Sequence, residues 1–182
     1  IQAHIAEQVR ENYDVMWSED FCGGEVITSE NGWEELAAES AESDLPAVML
    51  FNDEKDVREF MRRSTPAYAS FQFIFNQRSS VTVRGADYRR VKAIQQHLMS
   101  YRLAPEVRGR PVPYKFTKKQ EELVVSTLSE IRNIYILHTI AQKADRNKKN
   151  VLVLGSAHVN HMAYLMAKYG IKGKLLFVEK AK

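Results

Sequence analysis

Apolar positions along the chain switch between a two-residue and a three-to-four-residue period, and each switch marks an element. Residues 1–13 (IQAHIAEQVRENY) place Ile5 and Val9 four apart, which predicts a helix. Residues 14–21 (DVMWSEDF) are apolar through Val15–Trp17 and then turn acidic, which predicts a short strand broken by Cys22-Gly23-Gly24. Residues 31–43 read as an acidic helix fraying into a loop, and AVMLF after Pro46 as a buried apolar segment. Residues 53–63 read as an amphipathic helix with Val57, Phe60 and Met61 on one side. Over 67–76 the spacing Phe71, Phe73, Phe75 is strand-like, although a buried helix would also satisfy it.

Farther along, SVTVR (80–84) is β-branched and predicts a strand that ends at Gly85-Ala86-Asp87, with a helix over 88–103. Residues 104–116 hold three of the five prolines and predict an irregular loop, a linker between two small domains being the weaker reading. Thr117-x-x-Gln120 is a capping-box pattern. It opens a long helix to about Ala144, in which Leu123, Leu128, Ile131, Tyr135, Ile136 and Ile140 recur at helical intervals. Asn150–Leu154 is fully apolar, as in a parallel strand covered on both faces. Gly155 turns the chain into a helix over 158–169, which Gly170 ends before a last strand over 174–178. Alternating strands and helices predict one α/β domain over 1–182, a mostly parallel sheet sandwiched by helices.

Composition narrows the classes. A chain of 182 residues, 45% hydrophobic and 27% charged, can bury a core and is not a disordered polymer. A net charge of +3 is too mild to argue for nucleic acid, and the run Arg146–Lys149 reads as a solvated loop. Cys22 is the lone cysteine, so no intramolecular disulfide forms. No apolar stretch is long enough to span a bilayer, and no signal pattern opens the chain. A start at Ile1 points to a processed product or a module of a larger polypeptide. A soluble domain is expected, its compartment left open between the cytoplasm and delivery within a secreted toxin.

In α/β sheets chemistry gathers beyond the carboxyl ends of parallel strands. The strand-end residues here are Glu19 and Asp20, Asp87, His158 and Glu179. Two carboxylates and a histidine at one rim could hold a divalent metal or perform general acid–base work. Taken singly, each acid reads more simply as a helix cap or a solvated residue. His158 and His161 stand three apart at a helix start, either as two metal ligands or, the favoured reading, as one site histidine and one surface histidine. His4, His97 and His138 are treated as surface or core residues. Arg132 interrupts the apolar rhythm of the long helix; it could fix a carboxylate, stabilise an anionic intermediate or form a structural salt bridge. Cys22 with His158 would make a nucleophile–base pair, against the commoner reading of an inert small hydrophobe.

Several of these residues occur in a set order: VMWSE ending in Glu19, VRGADYR with Gly85, Asp87 and Arg89, EIRNIYILHTIAQ, and VLVLGSAH. In that order they resemble the TIKI/TraB superfamily, which includes ChaN-like, erythromycin-esterase-like and bacterial toxin domains. The resemblance implies an α/β fold and a hydrolase, of metal-dependent protease or esterase type, acting on a peptide or small-molecule substrate. It implies a site of Glu19, His158, Arg132 and Asn133, with Glu19 and His158 as ligands if a divalent metal (Mn, Co or Zn) is used. Asp87, Arg89 and Ser156 are the candidate substrate contacts. The family's earlier strand with its own G-x-x-H or G-E-x-H motif has no counterpart here, and His4 is not assigned that role. Two other readings compete. One is a non-catalytic interaction or scaffold module of a larger protein. The other is a nucleotide or S-adenosylmethionine binder through 151–179, where Gly155 stands alone in place of a glycine-rich loop.

Overall fold

The computed structural model describes residues 2–32, 34–35, 70, 73–74, 80–103 and 116–174. Helix α1 spans Gln2–Asn12, and strand β1 follows at Val15–Cys22. A two-residue strand β2 (Val26–Ile27) precedes β3 (Thr82–Asp87) and helix α2 (Arg89–Leu103). Helix α3 spans Lys118–Lys143, β4 spans Asn150–Val153 and α4 spans Ser156–Lys168. The four strands form one sheet in the order β2-β3-β1-β4. β1 runs parallel to both β3 and β4, and only β2 is antiparallel. The fold is therefore mixed α/β with a mostly parallel sheet.

Side-chain alternation sorts the strands onto two cores. On one face Met16, Val83, Val151 and Val153 meet Ala6 and Val9 of α1 and the helical residues Phe73 and Ile74. On the other, Val15, Trp17, Ala86 and Leu152 meet Ile136 of α3 and Met162 of α4. Central β1 is buried almost throughout, whereas β4 is only half-buried. The fully covered strand expected from its apolar sequence is thus an edge of the described sheet. Ser70, Phe73 and Ile74 are helical, which favours the buried-helix alternative at those positions; the rest of 67–76 lies outside the described residues. β2 was not foreseen. The expected helix over 53–63, the loop over 104–115, and the strand over 174–178 beyond Lys174 lie outside the described residues, as do most of 31–43 and AVMLF.

Two local devices shape β1. Thr117 caps α3 as its sequence predicts, its Oγ1 accepting from Gln120 N while Gln120 Oε1 accepts from Thr117 N. At the other end of that helix Lys143 Nζ donates to Gly23 O (2.8 Å) and Glu25 Oε1 (2.6 Å), pinning the turn after β1. Gly23 and Gly24 take φ of 84° and 77° there, a region costly for any other residue. The second device is a bulge. Ser18 pairs with Gly85, but the next pair is Cys22 with Asp87, so β1 carries two extra residues. The bulge breaks alternation: Phe21, an odd-numbered residue like Val15 and Trp17, joins the opposite core with Met16.

Gly85 permits this bulge. A Cβ on it would lie 2.7 Å from Cys22 N and 2.8 Å from Phe21 C, backbone atoms that cannot move aside cheaply. Gly85→Ala is expected to lower unfolding free energy by about 3 kcal/mol. Urea denaturation checks it; a loss of a few tenths of that size would mean that the bulge does not depend on the glycine.

Candidate active site

Glu19 continues the Val15–Trp17 alternation onto the α3–α4 side of the sheet, one residue past Ser18, whose partner Val153 ends β4. Its carboxyl group is buried, at 9% exposure. Oε1 accepts a hydrogen bond from Gly155 N, the residue that caps α4. A Cβ on Gly155 would sit 3.2 Å from that same oxygen, a tight contact that the glycine avoids. Oε2 lies 3.3 Å from His158 Nε2 and 3.6 Å from Arg132 Nη2. Burial first, and the charge of Asp20 second, push the Glu19 pKa up from 4.5 to about 7, against the lowering effect of Arg132 and of the Gly155 amide. Burial first, and Arg132 second, hold His158 below the ordinary histidine range. Below about pH 7 Glu19 is therefore mainly a carboxylic acid, beside an imidazole that gives up its proton more readily than an ordinary histidine.

Arg132 and Asn133 interrupt the apolar pattern of α3 because both face this cluster; with Ile136 and Thr139 they make the helix's buried face. Asp87, wholly buried, grips Arg132 in a two-oxygen fork: Nε donates at 2.9 Å to Oδ2 and 3.1 Å to Oδ1, and Nη2 donates to Oδ2. Tyr88 N donates to Oδ1 at 2.7 Å. Arg132 Nη1 donates to Gln95 Oε1, and Gln95 Nε2 donates to Ser129 Oγ at 2.7 Å. Burial opposes the guanidinium charge, but the Asp87 bonds outweigh it and the Arg132 pKa is raised. Asn133, 1% exposed, places Oδ1 2.6 Å from His158 Nδ1 and Nδ2 3.1 Å from His161 Nδ1.

The structure thus gathers Glu19, His158, Arg132, Asn133 and Asp87. Asp87 is a correction as a substrate contact: it has no exposure, and both its oxygens are held by Arg132 and Tyr88. Asp20 faces the other core, where its Oδ2 accepts from Ser18 and Ser70, each at 2.9 Å. Lys92 Nζ donates to the Asp20 carbonyl at 2.7 Å and steadies the bulge. Arg89 pairs with Glu35. Ser156 is exposed in the first turn of α4, next to Gly155. His161 is half-buried and tied to Asn133, not the surface residue favoured from its spacing. His4 and His138 are exposed, the His97 side chain and Glu179 lie outside the described residues, and Cys22 is buried. Sequence reasoning missed Gly155 as a partner of Glu19, and missed Gln95 and Ser129; a lone glutamine on a helix carries no signal of that role.

A metal does not fit the donor set. Among the described residues no three His, Cys, Asp or Glu side chains gather as ligands. Glu19 and His158 offer two donors where a catalytic zinc site uses three, and the Arg132 cation already stands beside Glu19. No helix of the described residues is long and apolar enough to cross a membrane. No family model matches the chain, and neither a curated protein nor a solved structure matches it.

Two outcomes test these electrostatics. Glu19 binds a proton more tightly folded (pKa about 7) than unfolded (4.5), so its ionisation erodes stability as pH rises from about 4.5 to 7. That erosion amounts to about 3 kcal/mol, fully present above pH 7. Glu19→Gln cannot ionise, so denaturation across pH should show the variant gaining on the parent by about that amount from pH 5 to 8. A constant difference would mean that burial does not raise this carboxyl. Asp87→Asn is expected to cost about 3–5 kcal/mol by stranding the Arg132 charge, and Asp87→Leu with Arg132→Met together distinctly less. Thermal and urea unfolding of the single and double variants reads this coupling, and simple additivity would deny it.

Proposed function

We propose that the chain is a hydrolase of TIKI/TraB type that cleaves an amide or ester bond by general acid–base catalysis, with Glu19 and His158 as the reacting pair. The observation that carries this reading is the buried carboxyl–imidazole pair, 3.3 Å apart, at the carboxyl end of β4. In this mechanism neutral His158 takes a proton from water through Nε2 as the water oxygen bonds to the substrate carbonyl carbon. The bond to the leaving nitrogen or oxygen then breaks, and that atom receives the proton of the Glu19 carboxylic acid. The proton on His158 passes to Glu19 and restores both groups. Arg132 offsets the charge that Glu19 acquires while it is ionised, and Asp87 acts through Arg132. Exposed Ser156 and half-buried Arg89, which pairs with Glu35, are the candidate substrate contacts.

Two other readings meet this geometry differently. A nucleotide or S-adenosylmethionine at the start of α4 would want the Gly155 amide, and Glu19 already accepts its hydrogen bond. The interaction-module reading is favoured by one observation: the polar side chains satisfy one another and are only 9% to 11% exposed at His158, Arg132 and Glu19.

The deciding experiment is turnover of activated esters and peptide amides by the unsubstituted chain, Glu19→Gln and His158→Gln, with circular dichroism to show that each is folded. Each substitution is expected to lower kcat/KM by about 100- to 10,000-fold. The rate should rise with pH as His158 loses its proton, below the ordinary histidine value, and fall as Glu19 ionises near pH 7, a bell. No turnover, or turnover unchanged by both variants, removes the hydrolase and leaves the interaction module.

A further inference from the structure

We infer that Asn133 couples the two histidines of α4, so that His158 and His161, when both are neutral, carry their protons at opposite ring positions. A side-chain amide has one accepting end and one donating end. Here the two ends meet equivalent atoms: Oδ1 lies 2.6 Å from His158 Nδ1, and Nδ2 lies 3.1 Å from His161 Nδ1. An amide oxygen calls for a proton on the nitrogen facing it, and an amide NH2 calls for a lone pair. His158 therefore carries its proton on Nδ1 and turns the Nε2 lone pair to Glu19 Oε2, 3.3 Å away. His161 carries its lone pair on Nδ1 and its proton on Nε2.

Rotating the amide by half a turn inverts both rings together, and no rotation makes them alike. Asn133 is 1% exposed, so water does not relieve a mismatch, and an unmet buried bond costs about 1–3 kcal/mol. The charged and polar groups around the unit are Glu19 from β1, Asp87 from β3, Arg132 from α3 and, stacked on His161 at 6.1 Å, Tyr164 of α4. A protonated Glu19 donates to Nε2 and favours the arrangement described. An ionised Glu19 draws a proton to Nε2 and favours the inverted one. The half-buried His161 thus becomes a positioning residue that acts on His158 through Asn133. Its catalytic meaning rests on the acid–base reading, whereas the coupling itself needs no turnover.

Long-range nitrogen–proton NMR of the imidazoles tests this on the chain as it stands, at about pH 8 to 9, above the ordinary histidine range. The unsubstituted chain should show one ring protonated on Nδ1 and the other on Nε2, assigned with His161→Gln. Asn133→Asp accepts at both ends and should put a proton on Nδ1 of both rings, whether or not His158 Nε2 is also protonated by ionised Glu19, while Asn133→Leu should remove the preference for Nδ1 from both rings. Two rings alike in the unsubstituted chain overturn the coupling, whether or not the variants fold. So does an Asn133→Asp spectrum in which the rings stay opposite. Opposite rings in a chain without hydrolytic turnover would retain the coupling and remove only the hydrolase.

Discussion

The Glu19 carboxyl group, seated on the Gly155 amide, joins the sheet to the helix that carries both histidines. It is one hydrogen bond spanning 136 residues of sequence, and the rest of the cluster takes its place around it. A side chain at position 155 would press on the docked carboxyl oxygen, and the strand that carries Glu19 is bulged beside it. The bulge in turn requires Gly85. Glu19, Gly85 and Gly155, from three separate segments, are therefore parts of one steric arrangement.

Burying charge inside such an arrangement is unfavourable unless each charge is answered. The chain meets this unequally. Asp87 and Arg132 answer each other completely, in a geometry with two parallel bonds, and remain an ion pair. Glu19 has only the edge of Arg132, the Gly155 amide and a neutral imidazole, so its proton is held to about pH 7. Two carboxyl groups at neighbouring strand ends thus acquire opposite characters, one fixed in charge and one poised to exchange a proton. The aromatic rings of Tyr88, next after Asp87, and Tyr135, two residues after Asn133, stack at 4.6 Å and tie those two segments together.

Most of the elements were legible from periodicity. α1, β1, α2, α3 and α4 fall within two residues of their expected bounds, because each buries a one-sided or continuous apolar pattern, and β3 runs three residues past its expected end at Arg84. β2 was not legible, since two residues paired by a neighbouring strand carry no period of their own. The half-buried state of β4 was misread because an apolar run reports what a segment tolerates and not how much covers it. At the site, Glu19, Arg132, Asn133 and His158 stood out as polar residues placed where apolar ones or a strand end were expected. Asp87 stood out too, but its function as the anchor of Arg132 depends on a side-chain contact between residues 45 apart. His161 was undervalued because helical spacing shows that two residues share a face and says nothing of a third side chain lying between them.

The parallel pairing of β1 also governs the order in which the molecule can be made. Both neighbours of β1 come from distant segments, and β4 is the last of the described strands. During synthesis Trp17 waits for its full cover until the ribosome has released residues past Met162, whereas Met16 finds most of its core among residues made before it or by Val83. A nascent chain stopped before β4 holds a complete long helix and an incomplete sheet. Retention by a chaperone, and vulnerability to proteases, should therefore fall sharply only once α4 has emerged.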